Sequence, residues 1–214
     1  MRASWKIPYA LALVLGLIYI ALIPMQPYPF SWLLKMAPML IYALLVWRLV
    51  KGVAGQCLAL GFIAAALGDF FLDYGQRDGL FIQALLAFLV NQWLFAAGFY
   101  RLSGGVWHWP RSVPVLIYSV LLALWIVPMA TGLYVPVAIY LLSLLVMGLC
   151  AARVEPRVGP LWLGAMLFVL ADSLIGINKF ASAFAHSTLI IVSVYFSGQS
   201  LIAWGLLKRA TRSS

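Results

Sequence analysis

The sequence predicts an all-α integral membrane protein of eight transmembrane helices arranged as a parallel four-plus-four internal repeat. Three observations predict it. Of 214 residues, 65% are hydrophobic and only 9% charged, with a mean hydropathy of +1.05, whereas soluble domains carry about 25% charged residues. At about 20 residues per span, the length allows roughly eight crossings with short connections. Two stretches half a chain apart also match in phase. A water-soluble globule and a disordered chain are both excluded, because there is ample apolar surface to bury.

Apolar runs bounded by Pro, Gly or charge place the helices near 7–23, 31–50, 54–73, 79–100, 112–130, 134–152, 159–177 and 185–207. The first follows Arg2 and Lys6 and resembles a signal peptide. It ends in Pro24-Met25-Gln26-Pro27 without a small-residue cleavage site, so it reads as a retained span. The second to fourth are separated by Lys51 and by the turn holding Arg77 and Asp78. The fifth and sixth are divided only by the segment from Pro128 to Pro136. The seventh starts after Arg157 and the eighth ends at Lys208 and Arg209. The whole reads as one transmembrane domain, 1–214, with repeat halves of about 1–107 and 108–214.

Eight spans put both termini on one side. Arg2, Lys6, Arg48, Lys51, Arg101, Arg111, Arg153, Arg157, Lys208, Arg209 and Arg212 lie there, against Lys35, Arg77 and Lys179 opposite. Eleven cations against three predict cytoplasmic termini by the positive-inside rule, in the inner membrane if the cell is bacterial. The net charge of +9 therefore marks orientation. The cations come singly or in pairs rather than as a stripe with interleaved aromatics, so no nucleic-acid partner is expected. Trp5, Trp32, Trp107, Trp109 and Trp162 read as interfacial anchors. Cys57 and Cys150 read as buried free thiols. His108 and His186 lack partners at ligand spacing, so neither a metal nor another cofactor is expected. No phosphate loop, GxSxG elbow or Cys-His pair occurs, which argues against a serine lipase.

The repeat joins GFIAAALGDFFLD (61–73) to GAMLFVLADSLIG (164–176), and NQWLFAAG (91–98) to GQSLIAWG (198–205), at offsets of 103 and 107 residues. It pairs Asp69 with Asp172, Gln92 with Gln199 and Gly98 with Gly205. Helices three and four thus recur as seven and eight, related by a pseudo-twofold axis along the membrane normal. Asp69 and Asp172 are then expected to face one another across a central cavity.

Five acidic residues occur in the chain. Glu155, between Arg153 and Arg157, and Asp78, beside Arg77, read as solvated loop residues. Asp69 and Asp172 fall inside apolar runs, where a charge costs at least ~2.5–3.5 kcal/mol and marks a functional candidate. Asp73 shares a helix face with Asp69. The structural alternative pairs these acids with Lys35 or Lys179. Lys35, Asp73, Asn91, Gln92, Asn178, Lys179, Tyr195 and Gln199 together outline a polar cavity opening outward, although such a residue alone is more often an interhelical hydrogen bond than a site residue.

These residues carry a resemblance. LGDFFLD with Phe81 and AFLVNQWLF (87–95), then GAMLFVLADSLIGINKF (164–180) and YFSGQSLIAWG (195–205), resemble the YhhN-like family of membrane proteins, which includes the TMEM86 lysoplasmalogenases. Lys35-Met36-Ala37-Pro38 is similar to that family's short Lys-Pro motif. The resemblance covers about residues 30–207. It implies an eight-helix hydrolase that cleaves the vinyl ether bond of lysoplasmalogens to a fatty aldehyde and glycerophosphoethanolamine or glycerophosphocholine, with Asp69 and Asp172 as the paired catalytic acids. A lysophospholipid would be the substrate and membrane lipids the surroundings. This chain has Gln92 and Phe95 where the family pattern carries His and Tyr. Two carboxyls suit the chemistry independently, since vinyl ether hydrolysis needs one to protonate carbon and another to stabilise the cation and activate water. Parallel repeats around polar midplane residues also fit a second reading, a lipid or small-solute transporter, and a catalytically inactive lipid-binding relative stays open as a third.

Overall fold

The computed structural model describes residues 5–74, 79–154 and 159–212. Among these, eight helices are long and apolar enough to cross a membrane: α1 (Lys6–Leu22), α2 (Ser31–Leu49), α3 (Gly52–Tyr74), α4 (Phe81–Leu102), α5 (Trp109–Ile126), α6 (Tyr134–Ala152), α7 (Gly159–Gly176) and α8 (Ser187–Arg212). Helices satisfy their own backbone within lipid, which water cannot do there. The chain is an integral, multi-pass membrane protein. Arg2, Arg77, Asp78, Glu155 and Arg157 lie outside the described residues.

The boundaries follow the punctuation in the sequence. Short 3₁₀ turns at Ile23–Met25 and Val127–Met129 finish α1 and α5 where Pro24 and Pro128 cannot continue an α-helix. Gly132, at φ +78°, turns the chain between α5 and α6. Two boundaries differ from expectation. α8 runs on to Arg212 through Lys208 and Arg209, whose cations suit a helix C-terminus. Asn178 and Lys179, expected to follow the seventh helix as a loop, instead lie in a π-helical segment, Ile177–Ala181, that extends α7. It closes with Ser182 N–H donating to the Ile177 carbonyl at 2.8 Å.

α3 packs along α4 and α2, and α7 along α8. α2 also touches α8, while α6 lies against α4, α5 and α7, and α1 against α2 and α8. The α7–α8 crossing is close enough that a Cβ on Gly164 would stand 2.6 Å from the Gly198 carbonyl oxygen and from Ile202 N. Small residues permit such backbone approach, which lipid alone would not drive. Lipid-facing surfaces are apolar, with Leu17, Leu121, Leu124 and Val135 well exposed. Trp5 departs from its expected interfacial place: it is buried, edge-on to Trp204 at 5.2 Å between ring centroids. Cys57 and Cys150 are free, as expected, but half-buried. Their helix faces are shared between neighbours and lipid.

Candidate functional site

Two buried carboxyls organise the interior, each held by donors from other helices. Asp69 on α3 is 1% exposed. Lys35 Nζ, from α2, lies 3.7 Å from Asp69 Oδ1, and the Tyr195 hydroxyl on α8 donates to Oδ2 at 2.9 Å. The structural alternative is therefore realised at Asp69. A buried ion pair is weak evidence for stability, since desolvating both charges offsets their attraction. The same ammonium stands 5.8 Å from the centre of the Tyr19 ring.

Asp172 on α7 has no such counter-ion among the described residues. Its Oδ2 accepts from Gln92 Nε2 at 2.9 Å and from the Tyr140 hydroxyl at 2.6 Å. Ser143 Oγ hydrogen-bonds Gln92 Oε1 and lies 2.8 Å from the Tyr140 carbonyl oxygen, steadying both donors. Asp172 Oδ1 has no hydrogen-bond partner. Thus α2 and α8 bracket the first acid, α4 and α6 the second.

Two cavities lie nearby, one reaching Asp172 and the other Lys35, the partner of Asp69. The larger, about 610 Å³, is lined by Gln26, Ser31, Lys35, Asp73, Asn178 and Lys179 with apolar neighbours. The smaller, about 40 Å³, is apolar except for Asp172, Ser173 and Tyr140. Leu72, Phe81 and Ile175 line both, so the two chambers share a wall. Asp73 accepts from the Tyr19 hydroxyl at 2.6 Å, from Gln26 Nε2 at 3.0 Å and from Ser31. Asn178 Oδ1 accepts from Phe184 N–H at 3.3 Å. Lys179 Nζ lies 5.1 Å from the centre of the Phe81 ring.

The expected polar residues thus divide. Lys35, Asp73, Asn178 and Lys179 line the large chamber and Asp172 the small one; Asp69 lines neither and sits behind Lys35. Gln92 and Tyr195 reach the acids directly. Asn91 donates to the Gly61 carbonyl at 2.8 Å, pinning α4 to α3, while Gln199 is fully buried with neither amide atom hydrogen-bonded. Reading the sequence missed Tyr140, Ser143, Tyr19 and Gln26. The only signal for the first two is their i, i+3 spacing on one face of α6, a common pattern among apolar spans. Among the described residues no group of three or more His, Cys, Asp or Glu side chains is placed to hold a metal ion.

Comparison with known proteins adds relatives. The model of the YhhN family matches residues 30–206. Bovine lysoplasmalogenase TMEM86A is 29% identical over 192 residues, covering 81% of this chain and 78% of that one. Human lysoplasmalogenase TMEM86B is 28% identical over 182 residues, covering 84% and 76%. Human lysoplasmalogenase TMEM86A is 28% identical over 194 residues, covering 81% and 76%. No solved structure matches significantly.

Proposed function

The chain belongs to the YhhN family, and from that premise we propose that it is a membrane hydrolase cleaving the vinyl ether bond of lysoplasmalogens. The names of its relatives support the activity. The observation that carries the mechanism is the asymmetry at Asp172, a residue that lines the apolar chamber: one carboxyl oxygen is fixed by two donors and the other has no hydrogen-bond partner.

In this reading Asp172 is the general acid, and Asp69, which lines neither chamber, positions Lys35 and Tyr195. Asp172 gives its proton to the vinyl carbon distal to the ether oxygen. The carbon bonded to that oxygen becomes an oxocarbenium ion, stabilised by negative charge in a low-dielectric site. Water adds to it, and the proton that water loses returns to carboxylate. The resulting hemiacetal collapses as the glycerol oxygen takes a proton and its bond to carbon breaks. A fatty aldehyde and the glycerophospho head group are released. Gln92, Tyr140 and Ser143 position Asp172. Lys35, Lys179, Asn178 and Asp73, which line the large chamber, contact the head group.

The test is incubation of the detergent-purified protein with defined lysoplasmalogens, with ester-linked lysolipids as controls. Aldehyde released only from the vinyl ether substrates supports the reading. No aldehyde, together with solute or lipid flux into proteoliposomes, would replace it with the transporter reading.

A further inference from the structure

The large chamber lies where helix ends meet. Its walls come from the last turns of α1, α3 and α7 and the first turns of α2, α4 and α8. Helix ends reach the polar layers that flank the ~30 Å hydrocarbon core, the level of lipid head groups. The acid of this chamber is Asp73. Its Oδ1 accepts from the Tyr19 hydroxyl at 2.6 Å and from Gln26 Nε2 at 3.0 Å, while Oδ2 accepts from Ser31. Gln26 Nε2 also donates to the Tyr19 hydroxyl at 2.8 Å, so the two donors on Oδ1 hold each other in place. All three donors are neutral, and among the described residues no Lys or Arg forms an ion pair with Asp73. An ionised carboxyl accepts about four hydrogen bonds. Oδ1 has two and Oδ2 one, which leaves Oδ2 a position to fill.

Two kinds of ammonium occur in lipid head groups, and the chamber distinguishes them. A quaternary ammonium has no N–H and is held by aromatic rings closing round it. Among the described residues, Tyr19 and Phe81 are the aromatic members of the lining. Both rings are already engaged. Lys35 Nζ stands 5.8 Å from the centre of the Tyr19 ring, and Phe196 packs on that ring at 5.8 Å between centroids. Lys179 Nζ stands 5.1 Å from the centre of the Phe81 ring, and Phe180 packs on it at 6.4 Å. No cage is left for a trimethylammonium group, which on either ring would sit beside a lysine of like charge. A primary ammonium needs an acceptor instead, and Asp73 Oδ2 offers one.

We propose that Asp73 selects the head group: the phosphate lies toward Lys35 and Lys179, one ammonium N–H donates to Asp73 Oδ2, and ethanolamine is taken in preference to choline. This rests on the hydrolase reading and adds which head group the site prefers. Tyr19, Gln26 and Ser31 fix the carboxylate before the lipid arrives, so little freedom is lost when the ammonium binds. The bond formed has charge on both partners, the stronger class of hydrogen bond.

The experiment titrates the full-length protein in detergent micelles with 1-O-hexadecyl lysolipids, saturated ethers that vinyl ether chemistry cannot cleave. Their head groups are phosphoethanolamine and its N-methyl, N,N-dimethyl and N,N,N-trimethyl forms. Wild-type affinity should hold while an N–H remains and fall about tenfold at the trimethyl form, the worth of one charge-assisted hydrogen bond. Asp73→Asn should erase that step and bring the four affinities together. A uniform loss across all four in Asp73→Asn makes the residue a clamp on α1 and α2 and overturns the proposal. A smooth decline with each added methyl in the wild type also overturns it, since that pattern reads size and not N–H; this series decides the matter even if the variant does not fold. Vinyl ether lysolipids cleaved with no step at the trimethyl form overturn the selection alone. The step without any aldehyde release overturns the hydrolase reading and leaves the ammonium site standing.

Discussion

At Asp172 the donors on Oδ2 and the absence of one on Oδ1 make a carboxyl whose free edge points chemistry one way. Replacing it by Asn keeps the shape and removes the transferable proton. Asp172→Asn should cut aldehyde release by ~10²–10⁴-fold, the usual worth of a general acid, with folded yield unchanged. Asp69→Asn should also lower it, by releasing Lys35 and Tyr195 from the carboxylate that places them. Asp78→Asn, outside the described residues, should be nearly silent. Normal hydrolysis by either paired variant would make that Asp structural. Tyr140→Phe removes one of the two donors on Asp172 Oδ2. It should lower kcat with little change in KM, and Gln92→Leu should act alike; a rise in KM alone would remove their positioning role. The two acids, Lys35, Gln92 and Tyr195 were legible because polar letters are rare in apolar helices and costly there. Tyr140 and Ser143 were not, because ten tyrosines are spread through the spans and only tertiary packing selects the one that meets an acid 32 residues away.

Among the helices, the α7–α8 crossing is the tightest to backbone. A Cβ on Gly198 would stand 2.9 Å from the Gly164 carbonyl oxygen and from Phe168 N, and backbone cannot swing aside as a side chain can. Gly164→Ala and Gly198→Ala should therefore destabilise the protein by ~1–3 kcal/mol through overpacking, seen as earlier thermal unfolding in detergent. The α3–α4 contact should be more tolerant, since Gly61 and Gly68 meet the rings of Phe95 and Phe88. Unchanged unfolding of both α8-crossing variants would contradict the geometry. The spans themselves were readable to within a few residues from apolar length and Pro or Gly punctuation. The π-helical end of α7 was not: Asn178 and Lys179 read as loop letters, and only their packing keeps them coiled.

For the molecule as a whole, charge asymmetry predicts both termini in the cytoplasm. A cysteine at Ser214, outside the described residues, combined with removal of Cys57 and Cys150, should react with an impermeant maleimide only from the cytoplasmic side. Labelling from outside would reverse the topology. The four-plus-four repeat predicts that α3–α4 superpose on α7–α8 by rotation about the membrane normal. In the structure α2 brings Lys35 to the acid of α3, and α6 brings Tyr140 to the acid of α7. Symmetry in the sequence nonetheless hid an asymmetry in the site: Lys35 stands by one acid and Tyr140 by the other, and a repeat read from matched letters cannot reveal unmatched partners.

The contact of α1 with α8 has a bearing on how the protein is made. Tyr9 hydroxyl donates to the Ser200 carbonyl at 3.0 Å, a bond spanning 191 residues, and Trp5 rests on Trp204. A ribosome adding ~5–20 residues per second separates the synthesis of those partners by roughly 10–40 s. The first helix to enter the bilayer can pack Tyr9 on Tyr42 of α2, but Trp5 must wait for Trp204 until the last helix arrives. A nascent chain stopped before α8 would also leave Asp69 without Tyr195. Supplying α8 as a separate polypeptide should therefore lengthen the stopped chain's half-life in the membrane.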